Sequence, residues 1–105
     1  MKLPKQQHFY SNVEVRGVRR STTLRAMIDS GASGTFINSK IVQLHHIQKE
    51  KLEETIVLYN IDQTENAGGY VTHYAPLTLI VRGHLERIQF LVANIGSVAA
   101  ARLAT

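Results

Sequence analysis

Apolar and polar residues alternate along much of this chain, and turn-forming residues interrupt them at short intervals, the pattern of an all-β domain. Residues 9–16, FYSNVEVR, alternate as a strand. Gly17 begins a tight turn, and 21–29, STTLRAMID, reads as the returning partner. Ser39 is placed to cap a short helix through Leu44 or Ile47, because Ile41, Val42 and Leu44 fall on one side of it. Beyond it, LEETIVLYNID (52–62) is a strand, NAGG (66–69) a turn and YVTHYAPLTLIV (70–81) a long return strand. Gly83 opens another turn, and LERIQFLVANI (85–95) is the last recognisable strand. The tail SVAAARLAT (97–105) matches neither the helical nor the strand period. Closely spaced hairpins predict sequential antiparallel pairing, in a small closed or sandwich-like barrel carrying one short helix.

Composition narrows the class. The 105 residues predict one small domain with a modest core, and the 44% apolar share is that of a globular protein. No apolar run approaches the ~20 residues that span a bilayer, so no membrane association is expected. The start, MKLPKQQHFY, lacks the apolar middle of a signal peptide, and there is no cysteine for disulfides or thiolate metal sites. Together these features predict an intracellular location. The net charge of +4 comes from scattered residues, so direct nucleic-acid binding is not expected. The densest basic group, Arg16, Arg19 and Arg20, reads as a solvated hairpin tip.

Of the chain's two aspartates, Asp29 and Asp62, only Asp29 lies in an apolar context, within AMIDSGASGTFINS. Several chemistries fail at this stretch. GASGTF has no lysine for a phosphate-binding loop, and Ser33 is followed by Thr35 where a nucleophile elbow needs glycine. Of the five histidines, the adjacent His45 and His46 would point about 100° apart on a helix, and His73 and His84 lie on separate strands without a carboxylate at ligand spacing. No metal site is expected. Asp-Ser-Gly alone is a common turn, with the carboxylate accepting backbone N–H groups. Here, however, Met27 and Ile28 precede it, and Ala32, Phe36 and Ile37 follow it. A carboxylate flanked in this way belongs on a rigid loop at the edge of a core, where glycine allows close backbone approach.

This stretch resembles the active-site loop of the retropepsin-type aspartic proteases, most closely those of long-terminal-repeat retrotransposons of the Ty3/gypsy kind. The family pattern is apolar-apolar-Asp-Ser/Thr-Gly-Ala-Ser/Thr and then an apolar pair, and AMIDSGASGTFIN follows it throughout. Downstream, VLYNIDQTENAGGYVTHYAPLTLIVRGHLERIQFLVANIG is similar to the family's flap hairpin and the strands beyond it. The resemblance covers about residues 8–96 of a single domain. It implies a mainly β, closed retropepsin-like barrel and an aspartic endopeptidase without cofactor, with Asp29 catalytic. Each chain has one such aspartate, so a two-carboxylate dyad would require a homodimer. By the same resemblance, Ser30 would lock the two loops across the two-fold axis and Gly31 would let the backbone approach the dyad. Ala32 would line the cleft floor, and Ser33 completes the loop. Tyr59 to Tyr74 would form the flap, with Asn66, Ala67, Gly68 and Gly69 near its tip over an extended polypeptide. The implied setting is processing of a polyprotein, in the cytoplasm or within retrotransposon particles.

The chain departs from the family after Gly96. An apolar-apolar-Gly segment and a helix normally pack under the Asp loop, and SVAAARLAT puts alanine there instead. Ile95-Gly96 falls too early to replace the motif. Three readings therefore stand open: an active homodimeric endopeptidase, a shortened or degenerate remnant that keeps the fold without cutting, and a peptide-binding module using the same cleft. The tail favours a loosely held Asp loop and weak activity.

Overall fold

A computed structural model describes residues 9–29, 34–58, 69–96 and 99–104. Its elements run β1 (Phe9–Arg16), β2 (Ser21–Asp29), β3 (Phe36–Asn38), α1 (Ser39–Leu44), β4 (Glu50–Leu58), β5 (Gly69–Val81), β6 (His84–Ala93) and β7 (Ala101–Ala104). In β1, Val13 and Val15 are buried while Asn12 and Arg16 are exposed, as the alternation predicts. Leu24 and Ala26 of β2 continue the same inner face. Near the end of β2 the alternation stops, because Met27 is also buried and Ile28 is half-buried. The strand is covered on both faces just before it delivers Asp29.

The strands form one sheet in the order β1-β2-β7-β3-β6-β5-β4. Glu14, Val15 and Arg16 of β1 also pair with Ile80, Leu79 and Thr78 of β5. Among the described residues, that pairing closes six of the seven strands into a barrel and leaves β4 paired with β5 alone. Closure removes the open edges that an isolated sheet would expose. Inside, Val15, Leu24, Ala26, Ile37, Phe90 and Leu103 belong to the main core, and Phe36, Val71 and Ala93 form a smaller one.

Sequential hairpins account for the β1–β2, β4–β5 and β5–β6 pairings, all antiparallel. The β5–β6 turn places Arg82 and Gly83 at φ 51° and 78°, the doubly left-handed geometry of a type I′ hairpin. Three expectations need correcting, and one element was not expected. Not all pairing is sequential and antiparallel: β2 runs parallel to β7, and β3 parallel to β6. The helix cap is Asn38 rather than Ser39, since its side-chain oxygen accepts the Lys40 N–H at 3.0 Å. The apolar pair after the Asp loop forms a strand of its own, β3. Finally, the tail is not featureless. Ala101–Ala104 is inserted between β2 and β3, with Ala101 and Leu103 buried in the main core. Alanine is a poor strand former in isolation, but here ladder bonds on both edges hold it. A small side chain at Ala101 also suits a strand wedged between fully buried Ala26 and Ile37.

Candidate active site

Asp29 is the last residue of β2, and its backbone is held from the β7 side. Met27, Ile28 and Asp29 pair in parallel register with Arg102, Leu103 and Ala104, while Phe9 of β1 pairs with Ile28 on the other edge. The chain leaves β2 and returns through Gly34 and Thr35 to β3. Thr35 is fixed at two points. Its carbonyl accepts the Leu91 N–H at 2.9 Å, and its hydroxyl accepts the Ala104 N–H at 3.3 Å. Ala104 thus connects both feet of the segment 30–33, one by strand register and one by a hydrogen bond. Ser30, Gly31, Ala32 and Ser33 themselves, the predicted loop residues, lie outside the described residues.

Asn38 is the residue that the sequence reading missed. It is buried, with 5% of its surface exposed, and both ends of its side-chain amide and its backbone N–H are hydrogen-bonded. Its side-chain nitrogen donates to the Gly96 carbonyl at 2.6 Å, its side-chain oxygen caps α1, and its backbone N–H donates to the Ala100 carbonyl at 2.8 Å. Ala100 in turn donates to the Arg25 carbonyl at 2.9 Å. Asn38 therefore ties the helix start and Gly96 together through its side-chain amide, and joins them to the approach to β7 through its backbone N–H. An Asn immediately before Ser-Lys-Ile was a detectable signal, since Asn caps helices as well as Ser does. Arg102, 8% exposed between Met27 and Phe36, adds a buried cation two residues before the partner of Asp29.

Of the predicted flap, Asn66, Ala67 and Gly68 lie outside the described residues. Gly69 is the first residue of β5, opposite Leu58, at φ 131°, a conformation open essentially to glycine alone. The β4–β5 arm beneath it is irregular. From Lys51 to Ile56 the chain advances five residues while its partner moves two, from His73 to Val71, so β4 bulges there. Beyond the bulge Val57 and Tyr70 face each other in register, 52% and 75% exposed, an apolar pair left open to solvent. Among the described residues no three histidine, aspartate or glutamate side chains gather as metal ligands.

Comparison with known proteins agrees with this geometry. The family model described as the PEG10/RTL1 protease domain matches residues 25–100, from the middle of β2 to the approach to β7. Among solved structures, the EIAV protease complexed with the inhibitor HBY-793 superimposes with a TM-score of 0.67. The match covers 99% of this chain and 88% of that one at 16% identity, a likeness of fold. No curated protein matches the sequence.

Proposed function

Because the chain belongs to the PEG10/RTL1 protease domain family, we propose that it is an aspartic endopeptidase whose active site is completed by a second copy, each contributing Asp29. The observation that supports this reading most is the placement of Asp29. Asp29 ends a strand that is covered on both faces just before it, and the two feet of the segment that follows are joined through Ala104.

Peptide hydrolysis by water needs a base for the water and an acid for the carbonyl oxygen. Two carboxylates about 3 Å apart cannot both ionise, so they share one proton and serve both roles; aspartic proteases are the established instance of such sharing. In the proposed reaction, the ionised Asp29 takes a proton from water as its oxygen bonds to the scissile carbon. The neutral Asp29 of the second copy gives its proton to the carbonyl oxygen. Collapse of the resulting diol breaks the C–N bond, and a proton passes to the leaving nitrogen. Two-fold assembly is required because the chain has one aspartate in this setting. The substrate we propose is an extended polypeptide of a polyprotein, seated under the β4–β5 arm and adding a strand's worth of backbone hydrogen bonds. Exposed Val57 and Tyr70 offer it an apolar contact.

The direct test is cleavage of an extended polypeptide by the purified protein, with and without pepstatin. Pepstatin-sensitive hydrolysis supports the reading. Peptide binding without hydrolysis, unchanged by Asp29→Asn, would leave the peptide-binding module in its place.

A further inference from the structure

The opposite end of the barrel carries a second concave site. Thr22 on its wall lies seven residues before Asp29 on β2, so the two are about 23 Å apart. The pocket holds about 580 Å³ between the β1–β2 turn, the end of α1 and the β5–β6 wall, a volume in the range of ligand sites. Five of its lining residues are basic or nitrogen-rich: Arg19, Arg20, Arg87, His45 and His46. Glu50 is the one acidic residue among them. Among the described residues, none of these three arginines forms an ion pair with a carboxylate. The tip of the β1–β2 turn is exposed, as the sequence predicts, but it also forms one wall of a basic bowl.

His46 is the revealing member. Helix α1 ends in a Schellman motif, with Ile47 N–H donating to Val42 and His46 N–H to Gln43. The motif puts His46 at φ 51°, the left-handed position that glycine normally occupies. A side chain at a position that favours glycine points to use of that side chain. Here His46 lines the pocket.

We propose that this pocket binds an acidic, amphipathic polypeptide segment. Arginine forks pair with carboxylates in two-point geometry. Ile47, Pro76 and Leu77 supply an aliphatic floor, and Val18, 88% exposed on the turn, extends it outward. No Phe, Tyr or Trp lines the pocket, so it lacks the usual stacking platforms for nucleobases. The proposal does not depend on proteolysis.

The test is fluorescence anisotropy with a labelled peptide alternating Glu and Leu, a matched Ser/Leu peptide, and a labelled single-stranded oligonucleotide. The acidic peptide should bind, the serine version should not, and the oligonucleotide should be the weaker anion. Arg20→Glu with Arg87→Glu, both at exposed positions, should leave the melting temperature unchanged and weaken peptide binding by about ten-fold or more. His46→Gly should raise the melting temperature while lowering affinity, a pairing that a purely structural histidine would not give. Asp29→Asn should leave binding intact. Equal binding of the acidic and serine peptides, affinity indifferent to the arginine reversals, or tighter binding of the oligonucleotide would overturn the proposal.

Discussion

The N–H of Ala104 donates to the hydroxyl of Thr35 at 3.3 Å, while Ala104 is also the register partner of Asp29. The two feet of the Asp loop are therefore held to each other through a strand that lies between them. Replacing Thr35 with valine keeps the shape and removes the acceptor. Because Ala104 is exposed and water can take the acceptor's place, the expected stability cost is only about 0.5–1 kcal/mol. Cleavage should fall further than stability does, since a loosened foot degrades the placement of Asp29. Urea unfolding and initial rates on the same preparation test this; an equal loss in both would assign Thr35 to stability alone.

Asn38 should matter more to stability. Asn38→Ala removes the α1 cap and leaves the Gly96 carbonyl without its side-chain donor, a combined cost of about 2–3 kcal/mol. Asn38→Ser restores a cap but not the reach to Gly96, and should recover about 1 kcal/mol. Thermal melting of the two variants separates the contributions. If serine and alanine melt together, the cap bond adds nothing.

How far the sequence revealed this arrangement depends on the length and periodicity of each element. β1 and β2 were legible to the residue, because two strands of eight and nine residues joined by a short glycine turn leave little choice of register. Asp29 stood out because a charge at the end of an apolar run is unusual. β3 and β7 were not legible. Each is three or four residues long, and each is defined by neighbours distant in sequence: Phe36 by Leu91 and Arg102, and Ala101 by Ala26 and Ile37. No local pattern encodes a parallel pairing of that kind. The family resemblance placed an element under the Asp loop but looked for larger side chains than alanine there. The residues that do the fastening, Asn38 and Thr35, act through hydrogen bonds to residues distant in sequence, which periodicity does not record.

Alanine at 101 should therefore be a requirement rather than a deficiency. It is fully buried beside fully buried Ala26 and Ile37. Ala101→Leu adds three carbons to a closed space and should cost about 1–3 kcal/mol. Because the displaced strand carries Ala104, activity should fall with it. A variant that melts higher than the parent would mean the site is underfilled and that larger residues belong there.

Under the proposed chemistry, one Asp29 must be protonated and the other ionised. The rate should trace a bell with pH, peaking in the acidic to weakly acidic range, and its two apparent pKa values belong to the pair. A rate still climbing above neutrality would indicate a different base.

The sharpest test of the shared site is poisoning by Asp29→Asn. Asparagine is nearly isosteric, so the variant should fold and assemble like the parent, but its neutral amide cannot accept the proton from water. In a pre-equilibrated mixture held at fixed total concentration, where dimers predominate, the surviving active species is the dimer of two parent chains. Its share falls as the square of the parent fraction, so an equal mixture should retain about a quarter of the activity. Dilution should add to the effect, because neither chain holds a complete dyad and the active form assembles by mass action. The two measurements constrain each other: sedimentation gives the dimer fraction at each concentration, and the rate must follow the parent-only share of it. Activity that declines in simple proportion to the parent fraction, beside a monomeric mass, would mean that each chain cleaves on its own, and Asp29 would then need a partner acid from within the same barrel.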